Sequence, residues 1–163
     1  MRVEQSRWTA TSGWAPAFPS GLGDTASLVL VFGSRDLLSE GSLLRELREA
    51  HQGAPLFGCS TAGEIFGTQV RDDSLVASVV HFEATKAQLA RVSVGCPGDS
   101  LDAGRRLAAA LPPEHLVHVL VLTDGLRVNG TEFVDGLMAE LPRGVTVTGG
   151  LAGDAEHFQE RSS

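Results

Sequence analysis

Residues 58–64, with the sequence GCSTAGE, place a thiol, two hydroxyls and a carboxylate in one short segment. The spacing from Gly58 to Gly63 is that of the phosphate loop of nucleotide-binding proteins, where a lysine follows the second glycine and contacts the phosphates. Here Glu64 takes the lysine position, and its negative charge repels a triphosphate. Nucleotide binding by this segment is therefore not expected.

The same segment is close to the sharp turn that carries the nucleophile of many hydrolases, which reads Gly-x-Ser-x-Gly. Its second glycine is replaced by Ala62. A nucleophile at Cys59 or Ser60 also needs a histidine base and an acid that orients the base. The chain offers such groups at several positions: His81, His118, His157, Asp124 and Asp154. No spacing in the sequence pairs them with the nucleophile, so a cysteine or serine hydrolase is an alternative and not the main prediction.

A pocket for a small polar molecule is the third interpretation of this segment. Backbone N–H groups in glycine-rich turns bind carboxylates, and Ser60 and Thr61 add hydroxyl groups. Arg35 supplies a cation for an anionic end of the ligand, while Asp124 and Asp154 supply carboxylates for an ammonium group. This combination predicts an amino acid or a related zwitterion as the ligand. The competing interpretation is structural: the glycines permit tight turns, and the polar side chains cap helices.

The elements that position these residues start with a continuous apolar run at residues 28–32, typical of a strand buried on both faces. A helix that begins at Ser42 follows, and a second strand leads through residues 54–60 into the glycine turn. This order predicts a βαβ unit with two parallel strands. Residues 74–82 and 86–94 are two further β-rich runs, and the short link between them predicts an antiparallel hairpin.

The second half of the chain follows a similar order. A helix begins at Ser100, and a buried strand at residues 117–122 comes next. Asn129 with Glu132 forms a capping box that predicts the start of another helix. A strand at residues 145–148 then reaches a second glycine-rich turn.

The two halves match as an internal repeat of residues 28–66 with residues 118–158. The predicted fold class is α/β: a mixed β-sheet built from two repeated βαβ units with an inserted antiparallel hairpin, and with helices packed on the sheet. Residues 1–27 show no clear period and are expected to form an irregular N-terminal arm, in which Trp8 and Trp14 cover an edge of the domain. If both repeats share one sheet, four polar loops converge at its carboxyl edge, where α/β folds bind ligands.

Composition and charge argue against several classes of partner. Thirteen Lys and Arg residues against 20 Asp and Glu give a formal net charge of −7, and Lys86 is the only lysine. Nucleic acid is not expected as a partner, because its phosphates require clustered cations. Cys59 and Cys96 are the only cysteines and form no CxxC pair, so neither a disulfide framework nor a zinc site is expected. The sequence shows no secretory leader and no membrane-spanning run, and the cytoplasm is the predicted compartment.

Four strings in this order resemble the N-terminal half of the FIST sensory domain: LVLVFGSRDLL, GCSTAGEI, VLTDGLRVNG and TGGLAGD. The resemblance implies that residues 28–163 form a partial N-terminal FIST-like α/β domain, and that the C-terminal FIST region is missing from this chain. It implies a bacterial intracellular sensor without catalytic activity, which binds a small metabolite such as an amino acid and signals to an output protein. One branch of the family is described as haem-binding, so a haem-based nitric oxide sensor using His81, His118 or His157 is an alternative to a domain without a cofactor.

The family motifs and the polar loops together define the residues expected to bind the ligand. The predicted set is Arg35, Gly58, Cys59, Ser60, Thr61, Gly63, Glu64, Asp124, Gly125, Asn129, Gly149, Gly150, Gly153 and Asp154. No catalytic residue and no metal ligand is part of this prediction.

Overall fold

The computed structural model describes residues 1–18 and 21–153. These residues form two compact units, which are described separately: Met1–Gln88 with Gly153 forms the first unit, and Leu89–Ala152 forms the second. Both units combine helices and strands, so the predicted α/β class is confirmed. Three predictions lie outside the described residues: the site residue Asp154, the haem-ligand candidate His157 and the end of the repeat.

The first unit is built on a five-stranded mixed sheet. The strands of this unit, inside and outside the sheet, are β1 (Arg2–Thr9), β2 (Gly13–Ala15), β3 (Leu28–Gly33), β4 (Leu56–Ser60), β5 (Glu64–Phe66), β6 (Gln69–Arg71) and β7 (Ser74–His81). Five of them form the sheet, in the order β2-β1-β7-β3-β4, and β5 with β6 forms a separate antiparallel hairpin.

The βαβ unit predicted in the first half is present. Strands β3 and β4 pair in parallel, and two helices connect them, α1 (Arg35–Glu40) and α2 (Ser42–Ala50). Gly41 separates the helices in a left-handed conformation with φ 75°, which glycine adopts without steric cost. Helix α2 buries Leu43 and Leu47 in the core of the unit, where they join the inward side chains of the sheet: Val29, Val31, Leu75, Ala77 and Val79.

The N-terminal segment differs from the irregular arm predicted for residues 1–27. Strand β1 pairs antiparallel with β7 along its whole length, and β2 pairs with β1. The sequence does not show this strand, because Ser6 is its only fully buried residue and no apolar alternation marks its faces. Its conformation is set by backbone pairing with β7, so tertiary context overrides a weak local pattern.

The hairpin predicted from residues 74–82 and 86–94 is only half correct. The first run forms β7, but this strand lies between β1 and β3 and pairs antiparallel with both. Residues 86–94 form no strand. Because β7 is central in the sheet, side chains on both of its faces are buried, for example Leu75 on one face and Val76 on the other.

The second unit consists of helix α3 (Ser100–Ala109), strand β8 (His118–Thr123), helix α4 (Gly130–Glu140) and strand β9 (Thr146–Leu151). Strands β8 and β9 pair in parallel in a two-stranded sheet of their own, so the predicted βαβ order is again present. Among the described residues, the two parallel pairs lie in separate sheets, β3 and β4 in the five-stranded sheet and β8 and β9 in the two-stranded one, instead of in one shared sheet. The duplication itself stays a prediction.

The core of the second unit lies between its helices and one face of its sheet. Helix α3 packs along α4, and both cover the inward residues of β8. The fully buried apolar side chains of this core are Ala103, Leu107, Ala108, Val119, Val121, Val128, Phe133, Leu137 and Val145. Across the described part of the chain, no helix has the length and apolar character needed to cross a membrane.

Candidate functional site

Glu64 organises the loops at the carboxyl end of β3 and β4. Its side chain is buried, with the residue 2% exposed. One carboxylate oxygen, Oε1, accepts a hydrogen bond of 2.6 Å from the hydroxyl of Thr61. The other, Oε2, accepts bonds from the hydroxyl of Ser74 at 2.6 Å and from its backbone N–H at 3.3 Å. A buried carboxylate is tolerated when donors surround it, so Glu64 is a satisfied anchor in the interior of the first unit.

Two backbone hydrogen bonds fasten the same loops further. The N–H of Ser34 donates to the carbonyl of Ser74 at 3.0 Å, and the N–H of Thr61 donates to the carbonyl of Gly33 at 3.1 Å. The loop after β3, the loop after β4 and the start of β7 are therefore held together. This is the carboxyl edge of a parallel strand pair, where α/β proteins bind their ligands.

Gly153 belongs to the first unit and contacts the turn after β4. Its N–H donates to the carbonyl of Ser60 at 2.9 Å. A Cβ on Gly153 would lie 3.1 Å from the backbone nitrogen of Ala62, so only glycine fits this approach without displacement. This predicted site residue therefore lies against the turn of residues 58–64.

Gly58 has a structural role in the pairing of β3 and β4. It lies in β4 directly opposite Val31 of β3, and a Cβ at this position would collide with the Val31 carbonyl oxygen. The glycine is required for the two strands to approach, and this requirement explains its presence without any ligand.

Several polar groups lie at this edge, on the loops after β3 and β4. Ser60, Thr61 and Gly63 are half-buried, and Ala62 is exposed. Within the described residues, no backbone hydrogen bond is made by the N–H groups of Ala62 and Gly63. Arg35, the exposed first residue of α1, lies on the neighbouring loop. Two adjacent N–H groups, hydroxyls and a nearby guanidinium together form a set of donors suited to a carboxylate.

Comparison with protein families gives a match between residues 27–163 and the FIST N domain. The chain belongs to this family. FIST is a family of sensory domains in signal transduction, so the resemblance stated from the four sequence strings is confirmed. Comparisons with curated proteins and with solved structures give no match.

The hydrolase alternative gains no support from the geometry of this FIST N domain. Cys59 lies half-buried in β4, and burial raises the pKa of its thiol, which disfavours the reactive thiolate. The ring Nδ1 of His81 lies 2.6 Å from the carbonyl of Thr25, away from the glycine turn. No described residue of the first unit forms a nucleophile–histidine pair with Cys59 or Ser60 in the hydrogen bonds of the structure.

The haem alternative is equally without support in the described residues of the domain. His118 is in the second unit, and its Nε2 lies 2.9 Å from the hydroxyl of Thr148. His81 is bonded as described above. Among the described residues there is also no group of three or more His, Cys, Asp or Glu side chains that could hold a metal ion.

The predicted site residues Asp124 and Asn129 accept local backbone hydrogen bonds within the second unit. Asp124 accepts hydrogen bonds from the N–H groups of Leu126 at 2.8 Å and Arg127 at 3.2 Å, which is an Asx turn. Asn129 caps α4, since its Oδ1 accepts from the N–H of Glu132 at 3.4 Å. The predicted capping box is therefore confirmed at its Asn129 side.

The glycines predicted as site residues in the second unit differ in the space around them. A Cβ at Gly149 would collide with the Val121 carbonyl oxygen, and one at Gly125 would lie 2.7 Å from the Ala152 carbonyl oxygen. Around Gly150 the space is open to 4 Å. Gly149 therefore lies as close to Val121 in the second unit as Gly58 lies to Val31 in the first.

Sequence reasoning missed Ser74 as a residue of the candidate site. It is fully buried at the start of β7 and supplies two of the three bonds to Glu64. A signal was present, since Ser74 opens a strand whose following residues are mostly apolar. A buried hydroxyl at such a position needs a polar partner, but the sequence does not say that the partner is Glu64.

Proposed function

We propose that this FIST N domain is a non-catalytic sensor of a small polar metabolite with a carboxylate group, such as an amino acid. The ligand binds at the carboxyl edge of β3 and β4 in the first unit. One observation carries the proposal: the buried Glu64 bonds Thr61 and Ser74, Ser74 accepts a backbone bond from Ser34, and donors for an anion lie on the loops of residues 33–35 and 60–63. A fixed set of donors lowers the entropy cost of binding, because the loops are already ordered.

The chemistry of recognition follows from these groups. The N–H groups of Ala62 and Gly63 and the hydroxyl of Ser60 hold the carboxylate of the ligand, and Arg35 adds a favourable positive charge. Thr61 donates its hydroxyl proton to Glu64, so its oxygen is left to accept a bond from an ammonium group. Asp124 is not part of this proposal, because its carboxylate closes a turn of the second unit.

The proposed setting is the bacterial cytoplasm, where the domain passes ligand binding to a signalling output protein. Family membership supports the sensory role. The two cysteines, Cys59 and Cys96, are both free thiols, as expected in a reducing compartment. Neither a cofactor nor a catalytic step belongs to the proposal.

A ligand screen read by thermal denaturation tests this function. The 20 amino acids and a series of dicarboxylates are added to the purified chain, each beside its methyl ester. A ligand that binds only the folded state at 100 times its Kd adds about 2.7 kcal/mol of stability and raises the Tm. We expect at least one carboxylate to raise the Tm, while its methyl ester does not.

Matched serine variants then locate the binding site. Ser60→Ala removes one hydroxyl from the proposed contact, and we expect the Kd of the ligand found in the screen to rise about tenfold. Ser39→Ala removes an exposed hydroxyl of α1 and leaves the Kd unchanged. The proposal is wrong if no carboxylate binds, if the methyl ester binds equally well, or if both variants bind like the parent protein.

A further inference from the structure

Asp72 lies beside the glycine turn of the candidate site, although no sequence motif points to it. In the hairpin of β5 and β6, Glu64 pairs with Arg71. Gly63 directly precedes Glu64 and Asp72 directly follows Arg71, so the antiparallel register brings Gly63 and Asp72 together at the open end of the hairpin. The side chain of Asp72 is close to the turn, since a Cβ on Gly63 would lie 3.2 Å from Asp72 Oδ1.

The position of Asp72 is fixed from both sides by the buried Glu64. On one side, Arg71 is the register partner of Glu64. On the other side, Ser74 donates two hydrogen bonds to the Glu64 carboxylate. Asp73 completes this short connection in a left-handed conformation with φ 51°, which Asp and Asn adopt more readily than most residues. The backbone of Asp72 therefore stays beside the glycine turn while Glu64 keeps its hydrogen bonds.

The carboxylate of Asp72 is exposed at the surface of the first unit. Among the described residues, no salt bridge includes it. Glu64 is the other carboxylate at this turn, but it is buried and accepts three hydrogen bonds from Thr61 and Ser74. Of these two carboxylates, Asp72 is therefore the one that a ligand can contact.

The separation of Asp72 from the donors of the turn fits a small zwitterion. Since the nitrogen of Gly63 is two covalent bonds from the position of a Cβ, Asp72 Oδ1 lies within about 6 Å of that nitrogen. In an α-amino acid the ammonium nitrogen and the nearer carboxylate oxygen are about 3 Å apart. With one hydrogen bond of about 2.9 Å at each end, such a ligand spans the gap between the Gly63 N–H and the Asp72 carboxylate.

We propose that Asp72 determines the specificity of the candidate site by binding an ammonium group that the ligand carries next to its carboxylate. The inference rests on the proposed function, and it narrows the ligand from carboxylates in general to α-amino acids. The Asp72 carboxylate binds the ammonium group through a charge-assisted hydrogen bond. It repels a second carboxylate at the same place, so dicarboxylates bind less tightly than amino acids.

Matched pairs of ligands test this assignment on the purified chain by calorimetry. Each primary amino acid is compared with the α-hydroxy acid of the same side chain, which keeps the carboxylate and replaces the ammonium group by a neutral hydroxyl. For the amino acid that binds most tightly, we expect a Kd about tenfold lower than that of its α-hydroxy acid. In Asp72→Asn the two Kd values should become nearly equal, while the Kd of the α-hydroxy acid stays at the parent value.

Two neighbouring carboxylates supply matched controls, since each change removes one negative charge from the same unit. Asp73→Asn keeps a residue type that tolerates the left-handed conformation. Asp36→Asn changes an exposed carboxylate in the first turn of α1. Both variants should keep the preference of the parent protein for the amino acid. The Tm of Asp72→Asn without ligand should equal that of the parent protein, because the Asp72 side chain is exposed.

The outcomes separate this inference from the proposed function. If no carboxylate binds the parent protein, the proposed function fails, and the role of Asp72 fails with it. If carboxylates bind, but the α-hydroxy acid or a dicarboxylate binds as tightly as the amino acid, only the role of Asp72 is wrong. The same conclusion follows if Asp72→Asn keeps the preference for the amino acid, or if Asp73→Asn or Asp36→Asn removes it equally.

Discussion

The two units use the same strand–helix–strand order but complete it to different degrees. In the first unit β3 is paired on both edges, and Val31 is 2% exposed. In the second unit, among the described residues, β8 pairs with β9 alone. The comparison shows that β7 does more than pair with β3. It also brings Ser74 to Glu64, and this contact fixes the loops of the candidate site.

The turns of the two units are also held in different ways. The first unit uses contacts between residues ten positions apart, from Glu64 to Ser74. The second uses local bonds, from Asp124 to residues two and three positions along the chain. Loops held by distant contacts depend on the whole unit being folded, whereas a local turn forms with its own sequence.

The largest effect is expected where strands approach most closely. Gly58→Ala places a Cβ against the Val31 carbonyl oxygen in the five-stranded sheet, and we expect a loss of about 3 kcal/mol in the free energy of unfolding. Gly149→Ala creates the same collision at Val121. Both glycines lie on edge strands, but β9 belongs to a sheet of only two strands, which adjusts more easily than the five-stranded sheet, so the loss of stability should be smaller for Gly149→Ala. Urea denaturation measures both variants.

Gly150→Ala is the control for this pair. The space around Gly150 is open, so the free energy of unfolding should change by less than about 0.5 kcal/mol. If Gly149→Ala is as harmful as Gly58→Ala, the second sheet is as constrained as the first, and the contrast between the units is wrong.

The second largest loss of stability is expected at Glu64, the buried carboxylate that bonds Thr61 and Ser74. Glu64→Gln replaces one carboxylate oxygen by an NH2 group that faces donors, and we expect a loss of about 2 kcal/mol in stability. Affinity for the ligand should also fall, because Glu64 then holds Thr61 and Ser74 less firmly, and the loop of residues 33–35 is bonded to Ser74. Stability is measured in urea and affinity by calorimetry.

Glu140→Gln is the matched control, since this carboxylate is half exposed and lies 4.0 Å from Arg105. It should change stability by less than about 0.5 kcal/mol. Unchanged ligand affinity in Glu64→Gln would remove the link between the anchor and the site.

A smaller effect is expected in the second unit from Asn129→Ala, which removes the cap of α4. The loss should be about 1 kcal/mol. Amide exchange should become faster in the first turn of α4, while ligand binding in the first unit stays at the parent value. Loss of ligand binding in this variant would show that the proposed site is not confined to the first unit.

The smallest effect is on the reactivity of the thiols. Because burial raises the pKa of the Cys59 thiol, this residue should be alkylated more slowly than the exposed Cys96 at pH 8, and the two rates should become equal in urea. A raised pKa in the folded state favours the protonated thiol. The contribution of the Cys59 thiol to the free energy of unfolding is therefore complete below the ordinary pKa of a thiol. It is lost as the pH rises through the raised pKa of the folded state. Faster labelling of Cys59 would contradict its burial and reopen the nucleophile hypothesis.

The fold was predictable where strands left continuous apolar runs, although β8 has one exposed face. Strands β3 and β8, the parallel pairing in each half and the cap at Asn129 all follow from local patterns. Strand β1 was not predictable, since its residues show no buried face and only its pairing with β7 defines it. Residues 86–94 show the opposite case: their alternation is that of a strand, but no neighbour completes it.

The candidate site was predictable as a segment but not residue by residue. The polar turn of residues 58–64 lies at the edge where the βαβ order places it. Sequence alone treated Glu64 as a ligand contact, because burial of a carboxylate depends on donors such as Ser74 that come from another strand. Gly58 was assigned to the ligand for a similar reason, since its crowding against Val31 is a property of strand pairing.

The central place of β7 has a consequence for how the protein is made. Strands β1 and β3 leave the ribosome early, but they do not touch each other in the sheet, and the strand that joins them ends at His81. Until that strand emerges, the nascent chain holds two separate strand pairs, β1 with β2 and β3 with β4, and Glu64 lacks its hydrogen bonds from Ser74. The candidate site therefore forms only after the joining strand has been synthesised and inserted, late in the synthesis of residues 1–88.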